Sequence, residues 1–381
     1  MTSIFQQSVA FFVRRGPWSW MIAVNVAVMA ALVLYKYYDY PIIQYSFLLA
    51  NYHFGFMKRA LLGSVLALFE NQTGLREVFW IHLGAWLTTM TLFFMLFKRT
   101  FGFAGDRLQL FVFMFGSPFF FKNFFHTIGF FDIYGCLFAI VTLLIPVSRL
   151  FPLIVGAGCT ALVLIHHIHF LLYLPLIGVI AIIRYFCLRP FSRADIAYAL
   201  VAALPPCAAF LASVLIAAPV PPDQLLAYMR TRATDPLPVV NITIWYTTAA
   251  EELTKTAHEF ARNAPRLPVF AALILLHWPV IRFTRAMHAS IRDALHRNLL
   301  AFAFAGITLG YVVVFVFVFD YARWFSNWAV CMILLMHTAA LLPRRNDAPA
   351  PSFATTGREK LDTTLGWILT AIPRVGLQIP F

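Results

Sequence analysis

Acidic residues are scarce in this chain of 381 residues: Asp and Glu number 16 against 29 Lys and Arg, and the four charged types together make up 12% of the sequence. A soluble globular domain carries about 25% charge, so a large water-soluble fold is excluded. Cysteine is sparse too. Cys136, Cys159, Cys187, Cys207 and Cys331 are scattered through apolar sequence with no close pair, which argues against a disulfide framework and a cysteine metal site. No glycine-rich nucleotide loop follows a strand, and neither HExxH nor GxSxG occurs, so a cytoplasmic ATP-driven engine has no support.

What fills the sequence instead is apolar: 61% of residues are hydrophobic, 40 are Phe, and the mean hydropathy is +0.78. Runs such as 194–218 and 299–319 are continuous and non-alternating, so the expected fold is an all-α, polytopic transmembrane helical bundle rather than a barrel. The apolar runs predict about ten spans (range about 8–12), near 18–35, 78–97, 108–121, 128–146, 150–167, 169–185, 194–218, 267–281, 299–319 and 325–343. The N-terminal segment with Arg14 and Arg15 reads as a retained anchor, because no small-x-small cleavage site follows it.

Basic residues in short connections stay in the cytoplasm. With the N-terminus inside, Lys98, Arg99, Arg107, Arg149, Arg184, Arg189, Arg193, Arg282, Arg285, Arg292, Arg297, Arg344 and Arg345 all fall in inward connections. The net charge of +13 is then a topology signal, with anionic membrane lipids as neighbours and no nucleic-acid partner. The expected organisation is one transmembrane bundle over 1–345, with outer loops 36–77 and 219–266, and a partly flexible cytoplasmic tail over 346–381. Both termini are cytoplasmic in this scheme, which describes a multi-pass protein of a bacterial inner membrane. The basic stretch 282–298 reads as an amphipathic surface helix.

Charged groups at membrane depth are costly and point to interior or functional positions. The topology gathers Asp39, His53, Lys58, Arg59, Glu70, Lys122, His126, Asp132, His166, His167, His169, Asp320 and Arg323 on the outer face. Each has two readings. Lys122 suits an anionic headgroup or pairs with Asp132. Arg323 offers a fork for phosphate or closes a local bridge with Asp320 three residues away. His166 and His169 share a helical face from which His167 turns away, which disfavours a metal site and leaves a general base or a packing role. Glu251 and Glu252 belong to a solvated, charge-paired helix, and Asn241 heads a formal glycosylation sequon.

The segments MKRALLGS at 57–64, GSPFFFKNFFHTIGFFDIY at 116–134, HIHFLLYLP at 167–175 and DYARW at 320–324 give the chain a pattern that resembles bacterial multispanning proteins of cell-surface polysaccharide assembly. The families concerned are the polymerases and membrane glycosyltransferases that act on polyprenyl-linked sugars. The resemblance implies a large outward-facing cavity where a polyprenyl-linked donor meets a glycan or lipid acceptor. It makes Lys58, Arg59, Lys122 and Arg323 phosphate binders and Asp39, His126 and His167 acid–base residues, supported by Asp132, His166, His169 and Asp320. The paired acids of many such transferases are missing from the first outer loop, where Asp39 stands alone. No cofactor is required by these residues, and a divalent metal is left open but unsupported. The expected function is transfer of a sugar or related group from a polyprenyl-linked donor at the outer face, in cell-surface polysaccharide or glycolipid assembly. The alternatives are a transporter of lipid-linked glycans or small molecules and a noncatalytic membrane assembly partner.

Overall fold

The structure, a computed structural model, describes residues 16–40, 42–237, 242–317, 320–346, 351–354 and 357–374. Among the described residues the regular elements are all helical, and the only β features are isolated bridges between Thr73 and Ala233 and between Ile291 and Arg344.

Local sequence sets the helix ends. Pro17 stands in the first turn of Pro17–Tyr38, after Gly16 at φ +67°, a conformation that favours glycine. Leu75–Thr100 opens on a bond from the Gly74 N–H to the Glu77 carboxylate at 2.7 Å and closes with Lys98 and Arg99, both of which suit the helix dipole. Arg193–Leu215 starts with a capping box between Ser192 and Asp195 and continues through Pro205 and Pro206.

Among the described residues four helices are long and apolar enough to cross a bilayer: Pro17–Tyr38, Leu75–Thr100, Arg193–Leu215 and Ala294–Phe317. A fifth is obtained only if Ala264–Leu276 and Trp278–Ala289, bent by 60° across the break between them, count as one span. The expectation of about ten spans is therefore wrong. Apolarity records removal from water, and lipid and protein satisfy it equally. The long helices bury only 22–39% of their apolar windows and leave the rest exposed. Most of the runs that inflated the count are short helices, several of them swallowed by the bundle, and the run 325–343 falls in Tyr321–Ala340, a 20-residue helix buried along most of its length. Arg107–Phe115 buries every residue from Leu110 to Phe115, and Phe121–His126 buries Phe121 through Phe125. Asp132–Leu144, Phe151–Ile165 and Leu174–Cys187 are apolar but shorter than a span requires.

Small residues set one close contact between helices. A Cβ on Gly156 of Phe151–Ile165 would lie 2.4 Å from the Ala202 carbonyl oxygen of Arg193–Leu215, so only glycine allows this approach.

Several connections meet at one end of the bundle, called here the basic end. Arg99 donates to the Leu144 carbonyl, Arg184 to the carbonyls of Thr142 and Ile145, Arg107 to that of Pro351, and Arg344 to the Ser290 hydroxyl. The stretch 282–298 is not one helix: Trp278–Ala289 ends before a turn, and Ala294–Phe317 begins beyond it. The helix Glu359–Ala371 packs along Pro17–Tyr38, with Gly366 against Trp18 and Met21 and with Asn25 donating to the Thr370 hydroxyl at 3.1 Å.

A second, smaller core forms where the segments around 42–66 and 222–246 fold on each other. Tyr45, Phe47, Leu49, Met57, Leu225, Met229 and Trp245 are buried in it. Arg232, itself 5% exposed, donates to the Leu49 carbonyl at 2.7 Å, and Asn51 donates to the Tyr228 hydroxyl at 2.8 Å. Helix Leu61–Leu66 approaches the chain at Gly63, where a Cβ would sit 1.8 Å from the Ala50 carbonyl oxygen. This unit forms a cover. Phe131 and Ile165, which flank the polar groups described next, are part of its core.

Candidate functional site

Asp132 begins helix Asp132–Leu144, where the helix dipole favours an anion. Its chain arrives through Gly129 at φ +94°, beside Tyr40 and Gln44, so the turn suits glycine in both conformation and space. Arg323, in the first turn of Tyr321–Ala340, grips this carboxylate with both arms: Nε to Oδ2 at 2.8 Å and Nη2 to Oδ1 at 3.1 Å. Its Nη1 reaches Asp320 at 3.2 Å, and the guanidinium lies 3.9 Å above the Phe130 ring. Asp132 is 2% exposed and Arg323 8%, so this is a buried, bidentate, hydrogen-bonded pair. Asp132 is thus matched with Arg323 and not with Lys122, and the local Asp320–Arg323 contact is an extra arm of the same clamp.

Beside the clamp the chain breaks at His166. Helix Phe151–Ile165 ends there with extended backbone (φ −157°, ψ 109°), and a short helix, His169–Leu172, restarts beyond. Sequence spacing assumed one continuous helix and turned His167 away. The break instead leaves the His166 ring 5.3 Å from that of His167 and 5.9 Å from that of His169. His169 Nε2 bonds the Phe131 carbonyl at 3.1 Å, tying the imidazoles to the residue before Asp132. Nδ1 of His167 and of His169 is buried without a hydrogen-bond partner among the described residues.

Lys58 and Arg59 come to the same place from the cover. Lys58 Nζ donates to the Thr247 carbonyl at 3.0 Å, linking the two halves of the cover. Arg59 has φ +62°, the one non-glycine residue with positive φ among those described, at a typical cost of about 1–3 kcal/mol. The charge of Arg59 acts on both His166 and His167, and that of Lys58 on His167. Burial first, and these cations second, push His166 and His167 well below the ordinary imidazole range, and burial brings His169 down to about 4. The imidazoles are therefore neutral at physiological pH and able to accept a proton or a hydrogen bond.

The remaining residues gather elsewhere. Lys122, fully buried, donates to the carbonyls of Leu369, Thr370 and Ile372 at 3.0, 2.9 and 3.0 Å, and so caps the C-terminal end of Glu359–Ala371. His126 Nε2 lies 3.1 Å from Arg374 Nη1, and its charged neighbours are Lys36 and Arg374. Asp39 is exposed at the end of Pro17–Tyr38, hydrogen-bonded to Tyr35. The sequence candidates thus divide: Lys58, Arg59, Asp132, His166, His167, His169, Asp320 and Arg323 form one cluster, and Asp39, Lys122 and His126 belong to another, organised by the tail helix. Glu251 caps the surface helix Ala249–Asn263 through Thr248. Arg14, Arg15 and Asn241 lie outside the described residues, as does the side chain of Glu252. Among the described residues no group of three or more His, Cys, Asp or Glu is placed to hold a metal ion.

Sequence reading missed three polar anchors. Tyr173 donates to Asn327 at 2.7 Å in the buried core, Arg232 holds the cover, and Arg282 pairs with the buried Asp362 at 2.9 Å. An acid isolated in the apolar-faced tail, Asp362, was the legible signal for the last.

The fold defines a membrane-associated, multi-helix protein with a handful of apolar helices of membrane length and a folded cover over one polar cluster. Compared with known proteins, the chain matches no family model, no curated protein and no solved structure.

Proposed function

We propose that the protein transfers a sugar or related group from a polyprenyl-linked donor at the outer face of a bacterial inner membrane, in cell-surface polysaccharide or glycolipid assembly. One observation carries this reading: two cations, Lys58 and Arg59, converge with the imidazoles of His166 and His167 beside a buried carboxylate clamp, beneath a cover built from the segments around 45–66 and 225–246. Lys58 and Arg59 would hold the donor's diphosphate. The acceptor hydroxyl oxygen would attack the anomeric carbon as the sugar–phosphate bond breaks, the lipid diphosphate leaving with the electron pair and His167 taking the proton. Arg323 is committed to Asp132 and Asp320, so its contribution is to hold the helix starts that carry the site.

Purified protein in vesicles, supplied with a polyprenyl diphosphate sugar and a glycan acceptor, tests this by release of lipid diphosphate. His167→Ala is expected to lower turnover at least about 100-fold, the size of a general-base contribution, and Lys58→Ala to raise KM. Wild-type rates in His167→Ala would sink the assignment. The sharp break between Ala264–Leu276 and Trp278–Ala289 favours a second reading, transport of a lipid-linked glycan, since discontinuous helices line transporter sites. Cysteines at His167 and Arg59 that react with impermeant reagent from both membrane faces would support it.

A further inference from the structure

The break between Ala264–Leu276 and Trp278–Ala289 opens a cavity of about 1010 Å³ between that bent pair, Ala294–Phe317 and Tyr321–Ala340. This is at the top of the roughly 300–1,000 Å³ range of ligand cavities. On Ala294–Phe317 its wall climbs from Ala301 to Val312, about 16 Å at the helical rise and about half of a hydrocarbon core. The polar groups around it are turned onto protein. Trp328 Nε1 donates to the Thr308 hydroxyl at 3.0 Å, His277 Nε2 bonds Ser117 at 2.9 Å, and Thr284 donates to the Val280 carbonyl at 2.8 Å. The walls left to an occupant are apolar side chains such as Ala305, Leu309 and Met332.

The cavity's mouth at the basic end is different. Arg282, one turn earlier on the same helix, is consumed by Asp362. Arg285 lines the cavity, is exposed, and makes no side-chain hydrogen bond or ion pair with any described residue. His288, the next polar residue on that face, uses Nε2 on the Arg297 carbonyl at 2.9 Å. An apolar slot about one leaflet deep with a single uncommitted guanidinium at its rim is complementary to a lipid chain ending in a phosphate.

We propose that this cavity binds one anionic phospholipid from the leaflet at the basic end, an acyl chain lying along Ala305 and Leu309 and the phosphate on Arg285. The phosphate position at Arg285 lies away from Arg323, since its neighbour Thr284 meets Met336, thirteen residues further along Tyr321–Ala340, so the proposal stands whether or not sugar transfer does. The test is the full-length protein solubilised in detergent, washed, and offered equimolar phosphatidylglycerol and phosphatidylcholine, with retained lipid quantified by mass spectrometry. Wild-type protein is expected to retain phosphatidylglycerol selectively. Arg285→Gln should lower that retention about tenfold, the ratio one charge-assisted hydrogen bond supplies. Ala305→Trp, which fills the slot, should abolish retention of both lipids; the surface variant Arg285→Gln keeps the test valid if the filled variant fails to fold. Equal retention of the two lipids by wild type, unchanged selectivity in Arg285→Gln, or unchanged retention in a folded Ala305→Trp would overturn the proposal. So would displacement by inorganic phosphate, which marks a bare anion site, or by polyprenyl phosphate in preference to phosphatidylglycerol, which marks a donor site.

Discussion

Asp132→Asn is the most informative single change. The carboxylate is 2% exposed and accepts two hydrogen bonds from Arg323, at 2.8 and 3.1 Å. Neutralising it leaves a buried guanidinium with only Asp320, whose side chain is 34% exposed and engaged through one arm at 3.2 Å. Removing one partner of a buried pair costs about 3–5 kcal/mol, because the other charge is stranded away from water. At about 2 °C per kcal/mol for a chain of this size, Tm should fall by roughly 6–10 °C. Asp320→Asn removes the better-solvated contact and should cost under about 1 kcal/mol. Combining Asp132→Asn with Arg323→Met removes both buried charges, so the double variant should be more stable than the sum of the single losses predicts. Thermal unfolding of detergent-purified protein, followed by tryptophan fluorescence, reads all four. An Asp132→Asn protein melting within about 1 °C of wild type, or an Asp320→Asn loss as large as that of Asp132→Asn, would refute the buried clamp.

Other outcomes follow from single contacts. Lys122→Met should leave the carbonyls of Leu369, Thr370 and Ile372 without their ammonium, so amide exchange over 365–371 should speed up about 10–100-fold while Leu75–Thr100 stays protected; uniform protection would contradict the cap. Gly63→Ala places a methyl against the Ala50 carbonyl and should destabilise the cover by about 1–3 kcal/mol, seen as faster proteolysis within 42–66. His166, His167 and His169 are depressed in the fold, so it favours their neutral forms. The stability this gives is complete above the unfolded value near 6.5 and is lost as pH falls below it, in the case of His169 toward about 4, by up to about 1.4 kcal/mol per histidine per pH unit. A flat stability profile between pH 7 and 5 would contradict their burial.

Lys58, Arg59, Asp132 and Arg323 were legible as candidates because charge in apolar sequence is expensive and needs a reason. Their partners were not. Arg323 sits three residues from Asp320 but spends two arms on Asp132, and no one-dimensional spacing reveals a contact between helix starts nearly two hundred positions apart. The histidines were misread for a local reason: the spacing presumed a helix through 165–169, whereas the backbone extends at His166 and brings three rings together. Lys122 was recognised as buried and costly, yet its acceptors are carbonyls of a tail helix whose docking depends on Trp18, Met21 and Gly366 meeting across the whole chain.

The sequence by itself determined a membrane-associated, all-α protein: 61% apolar residues with 12% charge call for cover from water, and the long non-alternating runs make that cover helical rather than a barrel. The number of membrane-length helices and the grouping of the charged residues belong to the tertiary structure. An apolar run reads the same whether lipid or protein covers it, and only packing tells Leu110–Phe115, buried in the bundle, from Ala294–Phe317, largely exposed along its apolar length. Likewise a lone cation reads the same whether it awaits a ligand or already holds one. Packing commits Arg323 to Asp132 and Lys122 to the tail, and leaves Arg285 at the rim of its cavity.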